Sequence, residues 1–439
     1  MNRTKKGGEL VTTREVALQV PSSFPNDSWL RRFRSWRKTL AYLGPAFIVS
    51  VGYMDPGNWA TDLEGGSRFA YRLLWVLLVS NLMAIFLQNL SAKLGIATGK
   101  TLAEQCRDQY GKTAAHLLWG TAELAMIATD LAEFLGSALG IHLLFHIPLL
   151  PAVLLTSLDV FLLLALDRFG YRAVEASIIS LVGVVGLGYI IEIVLARPDL
   201  PAILQGTFVP SLDSGSLLVA IGMLGATVMP HNLYLHSSLA QNRLKSQDPE
   251  HKKEVYRFAI LDSIVALNGA FFVNAAILIM AAAAFHHSGL AVASIEEAHR
   301  TLTPLLGPLS AFVFALALLA SGISSSTTGT MAGQVVMEGF LHLRWKPWMR
   351  RLVSRGVTMV PAIMAIAIGV DPMKMLVLSQ VFLSFQLPFA IIPLVRFTSD
   401  RKLMGSFVNK GWVTGVAYVV AAVIIGLNVW LLYSVFFGA

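Results

Sequence analysis

Two short stretches place cation-binding side chains beside residues that break helices. Gly52-Tyr53-Met54-Asp55-Pro56-Gly57-Asn58 offers a carboxylate at Asp55 and, three residues on, an amide oxygen at Asn58. Ala226-Thr227-Val228-Met229-Pro230-His231-Asn232 offers a thioether at Met229 and an imidazole at His231. Proline has no N–H, clashes with the carbonyl four residues earlier and pushes its predecessor out of helical geometry. Pro56 is therefore expected to free the carbonyl of Gly52, and Pro230 that of Ala226, with Gly57 loosening the first break further. Asp55, Asn58, the Ala226 carbonyl and Met229 together make a mixed oxygen and sulfur site with one formal negative charge. Hard cations want oxygen ligands, whereas a thioether favours softer transition metals. The absence of thiolates suits a site that must let its ion go. The plainer alternative is a pair of ordinary proline kinks, with Met229 filling space in the core. An acid beside one break and a histidine beside the other favour a functional site, because ionisable groups inside a membrane are rare and usually functional.

The elements that must position these groups are membrane helices. Of 439 residues, 55% are hydrophobic and 14% charged, and the mean hydropathy is +0.64. The apolar runs are long and lack period-2 alternation, so helices rather than barrel strands are expected. Eleven spans are read at 39–66, 72–95, 114–144, 150–166, 173–195, 216–240, 257–285, 303–339, 352–370, 373–395 and 412–436. The eighth is too long for one straight crossing, so its ends should tilt or leave the hydrocarbon. Of the 34 Lys and Arg residues, 29 fall in the amino tail, in the loops after even-numbered spans or in the span ends that border those loops. The exceptions are Arg68, Arg72, Arg197, Arg300 and Lys374. The positive-inside rule then puts the amino terminus in the cytoplasm and the carboxyl terminus outside. The net charge of +8 thus reports topology and contact with a lipid bilayer, not a nucleic-acid partner. Residues 1–38 read as a cytoplasmic tail rather than a signal peptide, and 39–439 as one transmembrane domain.

Spans 1 and 6, which hold the breaks, are five apart and so run in opposite directions. Residues 39–195 and 216–395 are therefore expected to form inverted repeats of five spans each, with 412–436 an added helix. Paired broken helices at matching positions point to a transporter's central site.

These segments resemble the Nramp family of divalent metal transporters, in particular its bacterial manganese importers. The resemblance rests on Asp55-Pro56-Gly57-Asn58 and Met229-Pro230-His231. It continues through Ser325-Ser326-Thr327, Gly333-Gln334 and Glu338-Gly339 in span 8, and through Gln380 to Pro388-Phe389 in span 10. It covers nearly the whole chain after residue 40, and neither motif departs from the family pattern. Relatives specialised for Mg²⁺ or Al³⁺ differ there, and the ethylene-signalling relatives carry a long soluble tail that this sequence does not show. The resemblance implies an all-α LeuT-like fold and proton-coupled uptake of Mn²⁺ or Fe²⁺, with Cd²⁺ and Co²⁺ tolerated. It implies that Asp55, Asn58, Met229 and the Ala226 carbonyl hold the metal, joined in some conformations by Gln380 and the Tyr53 carbonyl.

Other ionisable groups lie within the spans. Asp130 and Glu133 share a face of span 3, Glu123 lies about two turns earlier, and His231 follows the second break. Arg243 ends span 6 and Arg355 lies in span 9. The resemblance implies a proton path from Asp55 toward Asp130, tuned by His231 and Glu133, with Gln88 nearby. The alternative is a static ion network of Asp130, Glu133, Arg243 and Arg355. His236, Glu192 and Asp159 are read as helix–helix hydrogen bonds, and His286 with His287 as a solvated pair.

Several classes fall away. A single cysteine, Cys106, gives no disulfide framework or thiolate cluster. No enzyme signature or Walker loop is present, and no resident cofactor is expected: metal is substrate and H⁺ the coupling ion. Gly183-Val184-Val185-Gly186-Leu187-Gly188 lies inside an apolar span, so it reads as a helix-packing face rather than a nucleotide loop. A cation-coupled amino-acid carrier of the same fold and a metal-selective channel remain as alternatives. The carrier reading is weakened because Asp55 would repel a substrate carboxylate. The expected location is the cell (inner) membrane, with no obligate protein partner evident.

Overall fold

The computed structural model describes residues 44–158, 171–244, 246–292, 294–343 and 345–437. The amino tail, the second half of span 4 with Asp159, and the side chain of Arg355 lie outside the described residues. Within them every regular element is helical, as expected where backbone polar groups have no water to turn to.

Span 1 is two helices, Pro45–Gly52 and Pro56–Phe69, and span 6 is two helices, Ser214–Val228 and Pro230–Gln241. Between them run span 2 (Leu74–Thr98), span 3 (Lys112–Phe145), the start of span 4 (Leu149–Thr156) and span 5 (Tyr171–Ala196). Spans 7, 9, 10 and 11 follow at Pro249–Ala281, Pro347–Ala367, Pro372–Ser399 and Gly411–Phe437. Eight helical stretches among the described residues are long and apolar enough to cross a bilayer, the second half of span 1 and span 2 counting as one. Exposed Leu187, Ile190, Val194 and Phe272 give the outer surface its apolar face, as a lipid solvent requires.

Polar caps set several boundaries. Span 2 stops at Gly99 in the left-handed region (φ 67), where the missing Cβ removes the steric cost. Thr101 and Glu104 then form a capping box that starts a short helix, Leu102–Gln109. Span 7 starts eight residues before the expected 257, because Asp248 caps the chain at His251 N–H and the polar first turns stay helical. Span 8 departs most from expectation. The run read as 303–339 is two helices, Ile295–Leu306 and Pro308–Leu341, separated at Gly307 (φ 97). The first is strongly amphipathic, so the excess length is a separate surface helix rather than a tilted crossing.

The glycine run in span 5 packs less than expected. A Cβ at Gly183 or Gly186 would meet nothing within 4 Å, and only Gly188 faces a neighbour, Val313 of span 8 at 3.0 Å. One apolar cluster joins Trp59, Leu63, Phe134, Tyr189, Phe285 and Phe314. A second joins Leu87, Leu90, Tyr234, Phe340 and Phe397. The first break lies in a third cluster, where Tyr53 and Met54 join Ala125, Met126 and Leu383.

Candidate metal site

At the first break the chain leaves helical geometry at Tyr53 and resumes at Pro56. Asp55 is extended (φ −69, ψ 163) and caps the second half-helix, Pro56–Phe69. Its Oδ1 accepts from the backbone N–H of Asn58 at 2.9 Å and from Asn58 Nδ2 at 2.7 Å. Pro56 is thus the first residue of a new helix, where its missing N–H costs nothing. The carbonyl of Gly52, expected to be free, accepts from Asp55 N–H at 3.2 Å, because the chain tightens into a turn there.

The second break is a single residue. Met229 has φ 40 and ψ 100, with helix on both sides, a conformation costly for an L-residue. The Ala226 carbonyl points across to span 1 and accepts from Asn58 Nδ2 at 3.2 Å. One amide group therefore draws together a carboxylate oxygen and a carbonyl oxygen from two broken helices. With that amide turned over, three oxygens would converge, a donor set suited to a cation. Met229 is fully buried, and its sulfur receives Asn232 Nδ2 at 3.4 Å.

Span 10 closes one side. Gln380 Nε2 lies 3.5 Å from Asp55 Oδ2, and Gln380 Oε1 is buried without a partner. Gly57 makes this approach possible: a Cβ there would lie 1.7 Å from Gln380 Nε2. The glycine read as loosening the break is required for close packing. The Tyr53 carbonyl accepts from Asn274 Nδ2 at 2.8 Å, and the same amide reaches Asn58 Oδ1 at 3.2 Å. The donor set is carboxylate, amide, carbonyl and thioether. Among the described residues no group of three His, Cys, Asp or Glu side chains stands close enough to hold a metal.

Below the breaks, Tyr53 Oη donates to the Val228 carbonyl at 3.4 Å and receives Gln88 Nε2 at 2.7 Å. Gln88 Oε1 lies 2.9 Å from His236 Nδ1, the helix–helix bond expected of that histidine. His231 is buried, with Nδ1 3.2 Å from Thr129 Oγ1. Glu133 is buried and Asp130 half-buried on span 3. Gly329 leaves room for the Glu133 carboxylate, which lies 2.8 Å from where its Cβ would stand. Arg243 is half-buried at the end of span 6, within electrostatic reach of Asp262. Glu123 of span 3 pairs with Arg350 of span 9 at 2.8 Å. Of the other expectations, Glu192 accepts from Ser310 Oγ at 2.5 Å. His286 and His287 are both exposed, as expected of a solvated pair, and His286 Nδ1 lies 3.0 Å from the Ser67 carbonyl.

Sequence reasoning missed Asn232, Asn274, Thr129, Arg350 and the buried Asp62. An asparagine or acid inside an apolar run was the available signal.

Residues 46–434 match the family model described as natural resistance-associated macrophage protein-like, Nramp. A divalent metal cation transporter MntH of Nostoc sp. is 52% identical over 411 residues, spanning 92% of this chain and 93% of the relative. A mutant of the Eremococcus coleocola manganese transporter superposes with a TM-score of 0.82 at 38% identity, over 91% of this chain and 87% of that one. The nucleobase-cation-symport-1 family transporter MHP1 shares the fold at a TM-score of 0.59 and 14% identity, over 88% of this chain and 89% of that one. The chain is all-α, has the LeuT-like architecture of inverted five-helix repeats with spans 1 and 6 broken, and belongs to the Nramp family.

Proposed function

We propose that this protein carries divalent transition-metal ions, Mn²⁺ first among them and Fe²⁺, Cd²⁺ and Co²⁺ as further candidates, into the cytoplasm by alternating access. The observation that carries the reading is the convergence of Asp55, Asn58 and the Ala226 carbonyl on one point between two helix breaks. Asp55 is the charged ligand, Asn58 and Ala226 the neutral oxygens, Met229 the soft ligand, and Gln380 and the Tyr53 carbonyl ligands in other conformations. Asp55 already caps the outer half-helix with its own carboxylate. An amino-acid substrate would need that helix N-terminus for its own carboxylate, so the arrangement favours a cation.

Uptake is coupled to protons. Metal binding favours a deprotonated Asp55, so metal and proton compete there. Asp130, with His231, Glu133, Arg243 and Arg355, is the route by which the proton leaves. The basic loops place the amino terminus in the cytoplasm and the carboxyl terminus outside the cell (inner) membrane. The substrates are metal ions and protons, with no resident cofactor and no obligate partner protein.

The test is ion uptake into proteoliposomes, with and without a pH gradient, against a panel of divalent ions. Saturable Mn²⁺ uptake accelerated by an inward proton gradient is expected. Uptake that rises without saturation, or that ignores the gradient, would overturn the coupled-carrier reading. Asp130→Asn should keep Mn²⁺ binding while reducing metal-evoked proton flux. An equal loss of both fluxes would leave Asp130 a structural residue.

A further inference from the structure

The outer half of span 1 holds a second carboxylate that the metal site does not use. Asp62 is fully buried, and neither of its oxygens has a hydrogen-bond partner. It follows Asp55 by seven residues, two helical turns or about 10 Å along the axis, and so shares its face. Trp59 stacks edge-on against Tyr189 of span 5, with ring centroids 5.0 Å apart. Trp59 Nε1 and Tyr189 Oη are also buried without partners. One turn beyond Tyr189, Glu192 is buried, and its Oε1 likewise lacks a partner. Both Asp62 oxygens, one Glu192 oxygen, a phenol and an indole N–H are therefore without hydrogen-bond partners where span 1 packs against span 5.

Buried polar groups are normally paired, and an anion stripped of water with no donor is costly. Asp62 is within electrostatic reach of Asp55 and of Tyr189, and Tyr189 of Glu192. Three basic groups of the outer side face other neighbours. Arg68 pairs with Glu64 at 2.5 Å, His286 lies against the Ser67 carbonyl, and His299 lies against Phe314. Among the described residues no basic side chain pairs with Asp62. A metal fits poorly, because these groups do not form a three-ligand cluster. A proton fits, because one proton neutralises a carboxylate and needs no further ligand.

We propose that Glu192 and Asp62 are proton stations on the outer side of the metal site. Hydronium in the outer vestibule gives its proton to a Glu192 oxygen and becomes water. The proton passes through water to an Asp62 oxygen and then to Asp55, and each donor returns to a carboxylate. This route rests on the proton-coupled reading above and supplies its outer half.

The experiment measures Mn²⁺ uptake and proton flux in the same vesicles, varying external pH at fixed internal pH and then the reverse. Mn²⁺ affinity is measured separately by calorimetry without a gradient. In Asp62→Asn, the ratio of acid to neutral uptake on the external side should fall to unity. Its internal pH response and Mn²⁺ affinity should match the parent, and Asp62→Glu should restore the external response. Glu192→Gln, which preserves an acceptor for Ser310, should blunt the same response and guards against misfolding of the first variant. An unchanged external pH response in both Asp62→Asn and Glu192→Gln overturns the proposal. So does a loss of Mn²⁺ affinity in Asp62→Asn, which would make Asp62 a metal station instead. A parent that shows no proton flux at all removes the coupled reading itself, before any variant is compared.

Discussion

The two helix breaks use one device for different ends. Each restarts with a proline at the first helical position, where the lost N–H has no intrahelical partner anyway. Span 1 opens through a turn and closes it with a carboxylate cap, so its break is relaxed and carries the charge. Span 6 opens through Met229 alone, at φ 40 and without a side-chain cap, so its break is strained and carries the thioether. A charge needs satisfied hydrogen bonds to stay buried, and the cap supplies them. A thioether needs none, so strain can be stored beside it. Affinity should accordingly live in span 1 and discrimination in span 6.

The sharpest way to break this division is Asp55→Asn. It keeps the shape and a capping side chain but removes the formal charge that Asp55 brings to the site. Mn²⁺ uptake should fall to background, beyond the 10- to 100-fold typical for a group that only supports a metal ligand (about two orders of magnitude at most). Normal uptake by a correctly inserted variant would falsify the assignment.

Next in size is Gly57→Ala. The new methyl would overlap the Gln380 amide, which lies 1.7 Å from its position, and Gln380 must swing away from Asp55. Mn²⁺ affinity should drop roughly 10-fold, with helix content unchanged. If affinity measured by calorimetry is unaltered, Gln380 plays no part in holding the ion.

Met229→Leu tests the other break. The swap conserves volume and should cost less than about 1.5 kcal/mol of stability, but it removes the sulfur. Cd²⁺ uptake should fall more than Mn²⁺ uptake, and competition by Ca²⁺ should rise. Competition curves identical to those of the parent would move selectivity from the thioether to cavity size.

The smallest effect is expected where the two broken spans are tied together at one end. Asp213 caps span 6 and accepts from Arg72 at 2.8 Å, just after the second half of span 1. The backbone N–H of Ser216, and then Arg72, hold its carboxyl below the usual carboxylate range. A lowered folded-state value means the stabilisation is present above the unfolded value, about 3.9, and is lost as pH falls through the lower one. Thermal melts below about pH 4 should therefore show the parent and Asp213→Asn converging, with a small parent advantage at neutral pH. The pair is half-exposed on both sides, so the advantage should shrink in high salt.

Much of the architecture was legible without coordinates, and particular residues show why. A run of apolar residues must become a helix in lipid, so the described spans stand where hydropathy put them, within several residues. Pro56 and Pro230 break helices by local sterics, which need no partner. Asp55, Asn58 and Met229 were identifiable because polar and soft groups beside such breaks have few structural uses. Where local rules competed with loop chemistry the reading failed, as at Gly307, which divides one apparent long span into two helices.

Sequence by itself therefore determined the membrane class, the helix breaks, the inverted relation of spans 1 and 6, and the types of ligand the breaks can offer. Only the tertiary structure decided which distant groups meet. Gln380 stands 325 residues from Asp55, Asn274 stands 216 from Asn58, and Arg350 stands 227 from Glu123. Composition and periodicity say which face of a helix is buried but not which neighbour it faces. Only the packed bundle shows that Gly57 makes room for an amide, that the Gly52 carbonyl is taken by its own turn, and that Asp62 is buried without a donor. Hydrogen bonding between helices depends on their crossing and rotation, and those follow from the whole set of side-chain contacts rather than from any one segment.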